Sequence, residues 1–308
     1  MKPKQSTGKS TGGSSKYTRT IIAVRGDTQG GSSVGLVNPE TKIPDIGILE
    51  NGREVFNGWR TPELRPVQRT LWKWHTEDLE NIKKLAGKDR IVFLEMGDMT
   101  QGNIFKDNLS EITLSGQYFV SKYNTIPILK IPTVSHLYIV KGTGVHVWGE
   151  GSTETMLTYF LKEKFPQKKI DITDHWFLNV DGFQLDVAHH GPGAGIRNWT
   201  RGNVFELYIK SILADIIDVG DEVPDAILRG HKHEFIYRRA VHQVKGKIWE
   251  LPGFIVPPYC FLDSHALKVV NSPSYMGVGM LAFEIINGSL YKFHPFLHYV
   301  DLRAHEKV

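Results

Sequence analysis

Short, nearly continuous runs of β-branched and aromatic residues recur along the chain, and each stops at small or polar residues. Thr20-Ile21-Ile22-Ala23-Val24 is the first, reads as a strand and ends at Gly26-Asp27. Arg90-Ile91-Val92-Phe93-Leu94-Glu95-Met96 repeats the pattern and ends at Gly97-Asp98. Val134 to Val140 ends at Lys141-Gly142-Thr143-Gly144, and Gly182 to Val187 ends at Ala188-His189-His190-Gly191-Pro192. Ala226 to Arg229 ends at Gly230-His231-Lys232-His233, and Ile170 to Leu178 reads as one further strand. Between these runs the apolar spacing changes to three or four. From Thr61, with Pro62 at the first helical position, Leu64, Val67, Leu71, Trp74, Ile82 and Leu85 predict an amphipathic helix closed by Gly87. Further helices are expected over about Leu109 to Lys122, from Ser152 or Thr153 to Phe165, and over about Val204 to Val219.

The stretch from 31 to 60 holds Pro39, Pro44, Gly47, Gly52 and Gly58 with little periodicity, so a long ordered loop at the rim of a site is expected. The C-terminal part reads as a meander with a hairpin turned at Asn287-Gly288. There is no internal repeat. Strands alternating with helices give an α/β (α+β) class, in which the carboxyl ends of the strands share one edge and ligands bind there.

Composition narrows this picture. Residues 1 to 17 are Lys, Ser, Thr and Gly with almost no apolar side chain, so a disordered basic tail is expected there, followed by a single domain over 18 to 308. Gly8-Lys9-Ser10 lacks the earlier glycine and the preceding strand of a phosphate loop. Lys and Arg number 37 against 33 Asp and Glu, a net charge of +4. Lys2, Lys4, Lys9 and Lys16 lie in the tail, which leaves the body close to neutral and argues against a dedicated duplex-binding surface. No apolar run approaches the roughly 20 residues that span a bilayer, so no membrane partner is expected, and a soluble, cytoplasmic protein is. Cys260 is the single cysteine; its apolar surroundings predict a buried, inert thiol.

The chemistry lies at the strand ends: Asp27, Asp98, Gly142-Thr143 with His146 nearby, His189-His190, and His231 with His233. Alone, each has an ordinary reading, a turn or helix cap for the Gly-Asp pairs and a structural histidine for the imidazoles. His231 and His233 are stronger, because a period of two puts both on one side of an extended segment. Carboxylates and imidazoles converging at one edge describe a divalent transition-metal site.

The order Asp27, Gly97-Asp98, Gly142-Thr143-x-x-His146, His189-His190, Gly230-His231-x-His233 resembles the calcineurin-like metallophosphoesterase superfamily over about Ile21 to Phe235. The family pattern is Asp-x-His, Gly-Asp, Gly-Asn-His, His, then Gly-His-x-His. The resemblance implies a four-layer αββα sandwich, two packed mixed sheets flanked by helices, around two divalent ions, manganese first with iron, zinc or nickel as alternatives. It further implies that Asp27 and His233 bind the first ion, that Asp98 bridges, and that His189 and His231 bind the second. Gln29 stands where the family has a histidine, Thr143 stands at its asparagine, and His146 is displaced by two residues.

Two such ions neutralise a phosphate ester and acidify a bound water, which becomes the attacking hydroxide, and a neighbouring imidazole then protonates the departing alkoxide. His146 is the first candidate for that acid and His190 the second; Arg197 is a candidate phosphate clamp. Trp199, Trp59 and Phe56 are candidates for stacking on a base or lining an apolar pocket. Other histidines, among them His75, His136, His175, His242 and His265, match no motif. Three functions remain open: hydrolysis of small phosphomonoesters or phosphodiesters, cleavage of DNA or RNA, and a non-catalytic binding protein with a degenerate metal site, which Gln29 and Thr143 favour.

Overall fold

The computed structural model describes residues 18–304 and 306, apart from 49, 105–107, 147–151, 194–199, 201, 245 and 263–273. The tail at 1–17, Arg197, Trp199 and His265 lie outside the described residues. In chain order the elements begin β1 (Arg19–Arg25), β2 (Ile43–Ile48), β3 (Glu54–Arg60), α1 (Pro66–Ala86), β4 (Arg90–Glu95), α2 (Leu114–Leu129) and β5 (Val134–Val140). They continue α3 (Ser152–Lys164), β6 (Lys169–Thr173), β7 (His175–Val180), β8 (Phe183–Ala188), α4 (Asn203–Val219) and β9 (Ala226–Arg229). The last four are β10 (Ile236–Val244), β11 (Lys247–Ile255), β12 (Tyr275–Ile286) and β13 (Ser289–Asp301).

The fold is mixed α/β, with three sheets and four α-helices among the described residues. β1 is buried from Thr20 onward, as an uninterrupted apolar run requires of a strand covered on both faces. It sits inside a six-stranded sheet ordered β13-β12-β1-β4-β5-β6, in which β1, β4, β5 and β6 run parallel, with Ala23 level with Phe93 and Leu94 level with Tyr138. The five-stranded sheet is ordered β10-β11-β9-β8-β7, parallel from β11 through β9 to β8 and antiparallel at both edges.

Alternate residues divide the core. Ile21, Ala23, Ile91 and Phe93 face a cluster with Leu71 and Ile82 of α1, Ile128 of α2 and Leu157 of α3. Ile22, Val24, Val92 and Leu94 face the other way, onto Phe183, Leu185, Val187, Leu228 and Phe254 of the second sheet. The far side of that sheet packs Ile227, Leu251 and Ile255 on Phe205, Ile209 and Leu213 of α4. No helix among the described residues is long and apolar enough to cross a membrane.

Several boundaries differ from the sequence reading. α1 starts at Pro66 rather than Thr61, since the Arg65 backbone N–H is taken by the Gln68 side chain at 2.9 Å and a second proline occupies the first turn. α2 starts after Thr113, whose hydroxyl accepts from the Gly116 N–H at 3.0 Å, and it runs through Pro127 to Leu129. Pro127 removes the N–H that would bond the Tyr123 carbonyl, and the Asn38 side chain supplies a donor to that carbonyl instead at 2.9 Å. The expected strand Ile170 to Leu178 divides around Asp174: β6 joins β5 in the first sheet and β7 joins β8 in the second. Within 31 to 60 a two-stranded hairpin, β2 with β3, replaces the expected loop; its register shifts between Asp45 and Ile46, which hides the period-two signal.

Candidate metal centre

The ends of β1, β4 and β5 in one sheet meet the ends of β8 and β9 in the other. The segment after β11 joins them, with the Val256 N–H on the Arg229 carbonyl and the Tyr259 N–H on the Gly26 carbonyl, each at 2.8 Å. Backbone torsions mark the junction. Among the described residues, seven other than glycine have positive φ, and five of them are Asp27 (49°), Gln29 (43°), Asp98 (49°), His231 (68°) and His233 (49°). Left-handed backbone is unfavourable for residues with a Cβ, and its concentration in one place signals a site that the surrounding structure forces into shape.

Asp98 is the hub. Its Oδ1 accepts the Thr143 backbone N–H at 2.6 Å, and its Oδ2 lies 3.2 Å from Thr143 Oγ1, 3.0 Å from His189 Nε2, 3.8 Å from His231 Nδ1 and 3.9 Å from His146 Nε2. Gly142 permits this approach, because a Cβ there would sit 2.2 Å from both Asp98 N and Oδ1. Asp27 is fully buried; its Oδ2 accepts the His231 N–H at 3.3 Å, while Oδ1 has no hydrogen-bond partner and lies 3.6 Å from His233 Nε2. Gln29 places its amide nitrogen 3.3 Å from His233 Nε2. The exposed His190 packs its ring 5.0 Å from that of His189 and 4.9 Å from that of His231.

Proton counting shows what the cluster lacks. His189 Nδ1 faces the Met96 carbonyl at 2.5 Å and His146 Nδ1 faces the Gln101 carbonyl at 2.7 Å. A carbonyl only accepts, so both Nδ1 atoms carry the proton and each Nε2 lone pair points toward the carboxylate of Asp98. Thr143 Oγ1 has one proton but lies 3.2 Å from each of Asp98 Oδ2, His189 Nε2 and His231 Nδ1. With His231 Nδ1 unprotonated, acceptors outnumber donors. One remedy is an extra proton: although burial alone would lower it, hydrogen bonding and charge from Asp98 push His189 up to about 9. Burial would raise Asp98, but hydrogen bonds from His189 and His231 outweigh it and hold the carboxyl well below its ordinary range.

The other remedy is a cation. Ligands at about 2.0–2.2 Å around a tetrahedral ion stand about 3.3–3.6 Å apart. Asp98 Oδ2 and Thr143 Oγ1 lie 3.2 Å apart and each stands 3.0 to 3.8 Å from His189 Nε2 and from His231 Nδ1, and Asp27 Oδ1 adds a buried oxygen with no other partner. Second-position hydrogen bonds that fix imidazoles, such as His189 to Met96, are usual around metals. The donor set, one-sided imidazoles with carboxylates, suits a divalent transition ion.

All the metal-ligand and acid candidates of the sequence that fall among the described residues, Asp27, Gln29, Asp98, Thr143, His146, His189, His190, His231 and His233, lie in this one cluster. His146 reaches it despite its displacement in sequence, and its carbonyl accepts from Thr100 Oγ1 at 2.5 Å. Phe56 and Trp59 stand on the hairpin, 56% and 57% exposed, with ring centres 5.7 Å apart. Sequence reasoning missed Glu154. Fully buried on α3, it accepts the Met99 N–H at 3.2 Å and the Gly142 N–H at 3.1 Å, tying together the two loops that carry Asp98 and Thr143. Burial, then the charge of Asp98, raise it to about 7. An acid in the first turn of a helix reads as a partner of the helix dipole, so nothing in the sequence marked it. Cys260 is buried as expected, and its Sγ lies 3.8 Å from His233 Nδ1.

No family model and no curated protein sequence matches the chain. Among solved structures, it is similar to the solution structure of the Thermotoga maritima protein TM1076, with 12% identity over 56% of this chain and 85% of that one, at a TM-score of 0.27.

Proposed function

We propose that the chain is a metal-dependent phosphoester hydrolase, with its two packed sheets arranged as the four-layer αββα sandwich of the metallophosphoesterases. The observation that carries this reading is the crowding of carboxylate, hydroxyl and imidazole atoms around Asp98, gathered from five strand ends, three of which turn through left-handed residues. Asp27, Asp98, Thr143, His189, His231 and His233 would hold the cations, manganese first, with iron, zinc or nickel as alternatives. Bound ions would supply charge neutralisation of the phosphate and acidification of a water. The chain's own residues do the rest. Asp98 orients Thr143, His189 and His231 toward one point. His146, with Nδ1 anchored to Gln101, presents Nε2 on the same side and, once a proton is taken up on Nε2, is the group that hands it to the leaving oxygen. His190 suits that task less well, because burial and the neighbouring His189 and His231 hold it below its ordinary value, leaving it neutral near pH 7.

The test is hydrolysis of an aryl phosphodiester and the matching monoester, with Mn2+ and with chelator, by wild type and Asp98→Ala. Turnover that needs Mn2+ and disappears in the variant is expected; turnover that survives the substitution rejects the reading. Adding single-stranded DNA to the panel separates a nuclease, the branch that the exposed Phe56 and Trp59 favour.

A second reading, a single-ion binding protein without turnover, is supported by Gln29. Its amide nitrogen stands 3.3 Å from His233 Nε2, the atom that a first ion would need. Metal analysis after Mn2+ loading distinguishes the two: one ion per chain in the wild type and two in Gln29→His would favour this second reading, provided no ester is turned over.

A further inference from the structure

β1 ends in a charge that the metal centre leaves unused. Arg25 is fully buried two residues before Asp27, and its in-register neighbour on β4 is the equally buried Glu95, three residues before Asp98. Arg25 Nε and Nη2 donate to Glu95 Oε2 at 2.9 and 2.6 Å. Nη1 donates to His75 Nε2 on α1 at 2.7 Å and to the Asn124 carbonyl on α2 at 3.2 Å. One guanidinium thus ties two strand ends to two helices. Arginine has only donors, so His75 accepts with its lone pair and stays neutral.

Stability alone does not account for this arrangement. Desolvation largely offsets the attraction in a buried ion pair, and apolar side chains of similar volume usually serve a core as well or better. The pair also leaves Glu95 Oε1 and His75 Nδ1 buried without hydrogen-bond partners. What apolar side chains lack is direction: a planar fork fixes both the distance and the angle of what it holds. Directly beyond the fork, both strands pass through a glycine into the left-handed Asp27 and Asp98.

We infer that Arg25 and Glu95, with His75 and Asn124, form a positioning brace that fixes the ends of β1 and β4, so that Asp27 and Asp98 present their carboxylates at the spacing a cation needs. The inference rests on the reading of the cluster as a metal centre. These residues act through Asp27 and Asp98.

The experiment is calorimetric titration of the full chain with Mn2+, alongside thermal unfolding without metal. Arg25→Met with Glu95→Met removes both partners and so leaves no orphan charge. Arg19→Met with Glu284→Met, a pair at 2.7 Å joining the other end of β1 to β12, is the control. The brace variant is expected to bind Mn2+ at least about tenfold more weakly with its unfolding midpoint little changed, while the control binds as the wild type does. Arg25→Lys keeps the charge and gives up the fork, is expected to weaken binding similarly, and decides the matter if the double variant does not fold. Wild-type affinity in the folded brace variants, or equal weakening in the control, overturns the brace and leaves the metal centre standing. Absence of Mn2+ binding by the wild type overturns both.

Discussion

The proton that His189 holds in the metal-free protein can be measured directly. Replacing Asp98 by Asn keeps the shape of the side chain and removes its charge. In the wild type His189 is pushed up to about 9, against an ordinary value of 6.5, mainly by its hydrogen bond to Asp98 and by that carboxylate's charge working against burial. The difference of about 2.5 units corresponds to about 3 kcal/mol of net preference for the charged imidazole, to which Asp98 is the main favourable contributor. Without the charge, burial prevails and His189 should titrate at or below 6.5. The sign for stability follows. A histidine whose folded value exceeds its unfolded value contributes stability that is complete below pH 6.5 and lost as pH rises through about 9. Metal-free wild type should therefore lose up to about 3 kcal/mol across that window, and Asp98→Asn should lack the loss. Nitrogen-edited NMR of the imidazoles gives the titration, and urea unfolding from pH 6 to 9.5 gives the stability. A wild-type His189 titrating near 6.5, or one unmoved by Asp98→Asn, would refute the hydrogen-bond assignment on which the proton count depends.

Two further outcomes follow from the packing. Gly142→Ala puts a methyl group 2.2 Å from Asp98 N and Oδ1, so the β4 and β5 loops must part; a loss of about 1–3 kcal/mol in urea unfolding and strongly weakened Mn2+ binding are expected, and unaltered binding would show that the contact is slack. Asp78, remote from the cluster, accepts from Tyr259 at 2.8 Å and from His298 at 2.9 Å, yet burial raises it to about 6. An acid raised in the folded state costs stability as it ionises, so wild type should lose about 3 kcal/mol between pH 3.8 and 6 relative to Asp78→Asn; parallel stability curves for the two proteins would count against it.

What could be read from the sequence was whatever depends on local pattern. Val134–Val140 and Ala226–Arg229 begin and end where the apolar runs do, because strands buried on both faces need such runs. The Asn287-Gly288 hairpin also stands as read, both residues having positive φ. Helix starts were displaced where competing signals lay close together, Pro62 against Pro66 and Leu109 against Thr113, and the winner was set by a tertiary contact or a cap. The clustering of Asp27, Asp98, His189 and His231 was legible because strand ends share an edge, which is topology rather than side-chain detail. Glu154, Arg25 and Glu95 were invisible for the opposite reason: an acid in a helix and ionic residues bounding strands look solvated until burial is known.

Those invisible residues answer an energetic question that the cluster poses. A left-handed residue other than glycine costs about 1 kcal/mol or more, somewhat less for Asp, so five of them approach the whole net stability of an ordinary domain, about 5–15 kcal/mol. Such backbone persists only where neighbouring contacts leave no relaxed alternative. Here the Gln29 N–H on the Asp98 carbonyl at 2.9 Å and the Asp27 N–H on the Gly97 carbonyl at 3.2 Å lock the turns to each other. Glu154 locks the β4 loop to the β5 loop, and Arg25 locks β1 to β4 just inside them. Each lock is buried and polar, and each spends desolvation to hold direction. A protein that needed Asp27 and Asp98 only as turn residues would have had glycine or asparagine available at those positions without this cost, and the buried polar supports would have had nothing to hold.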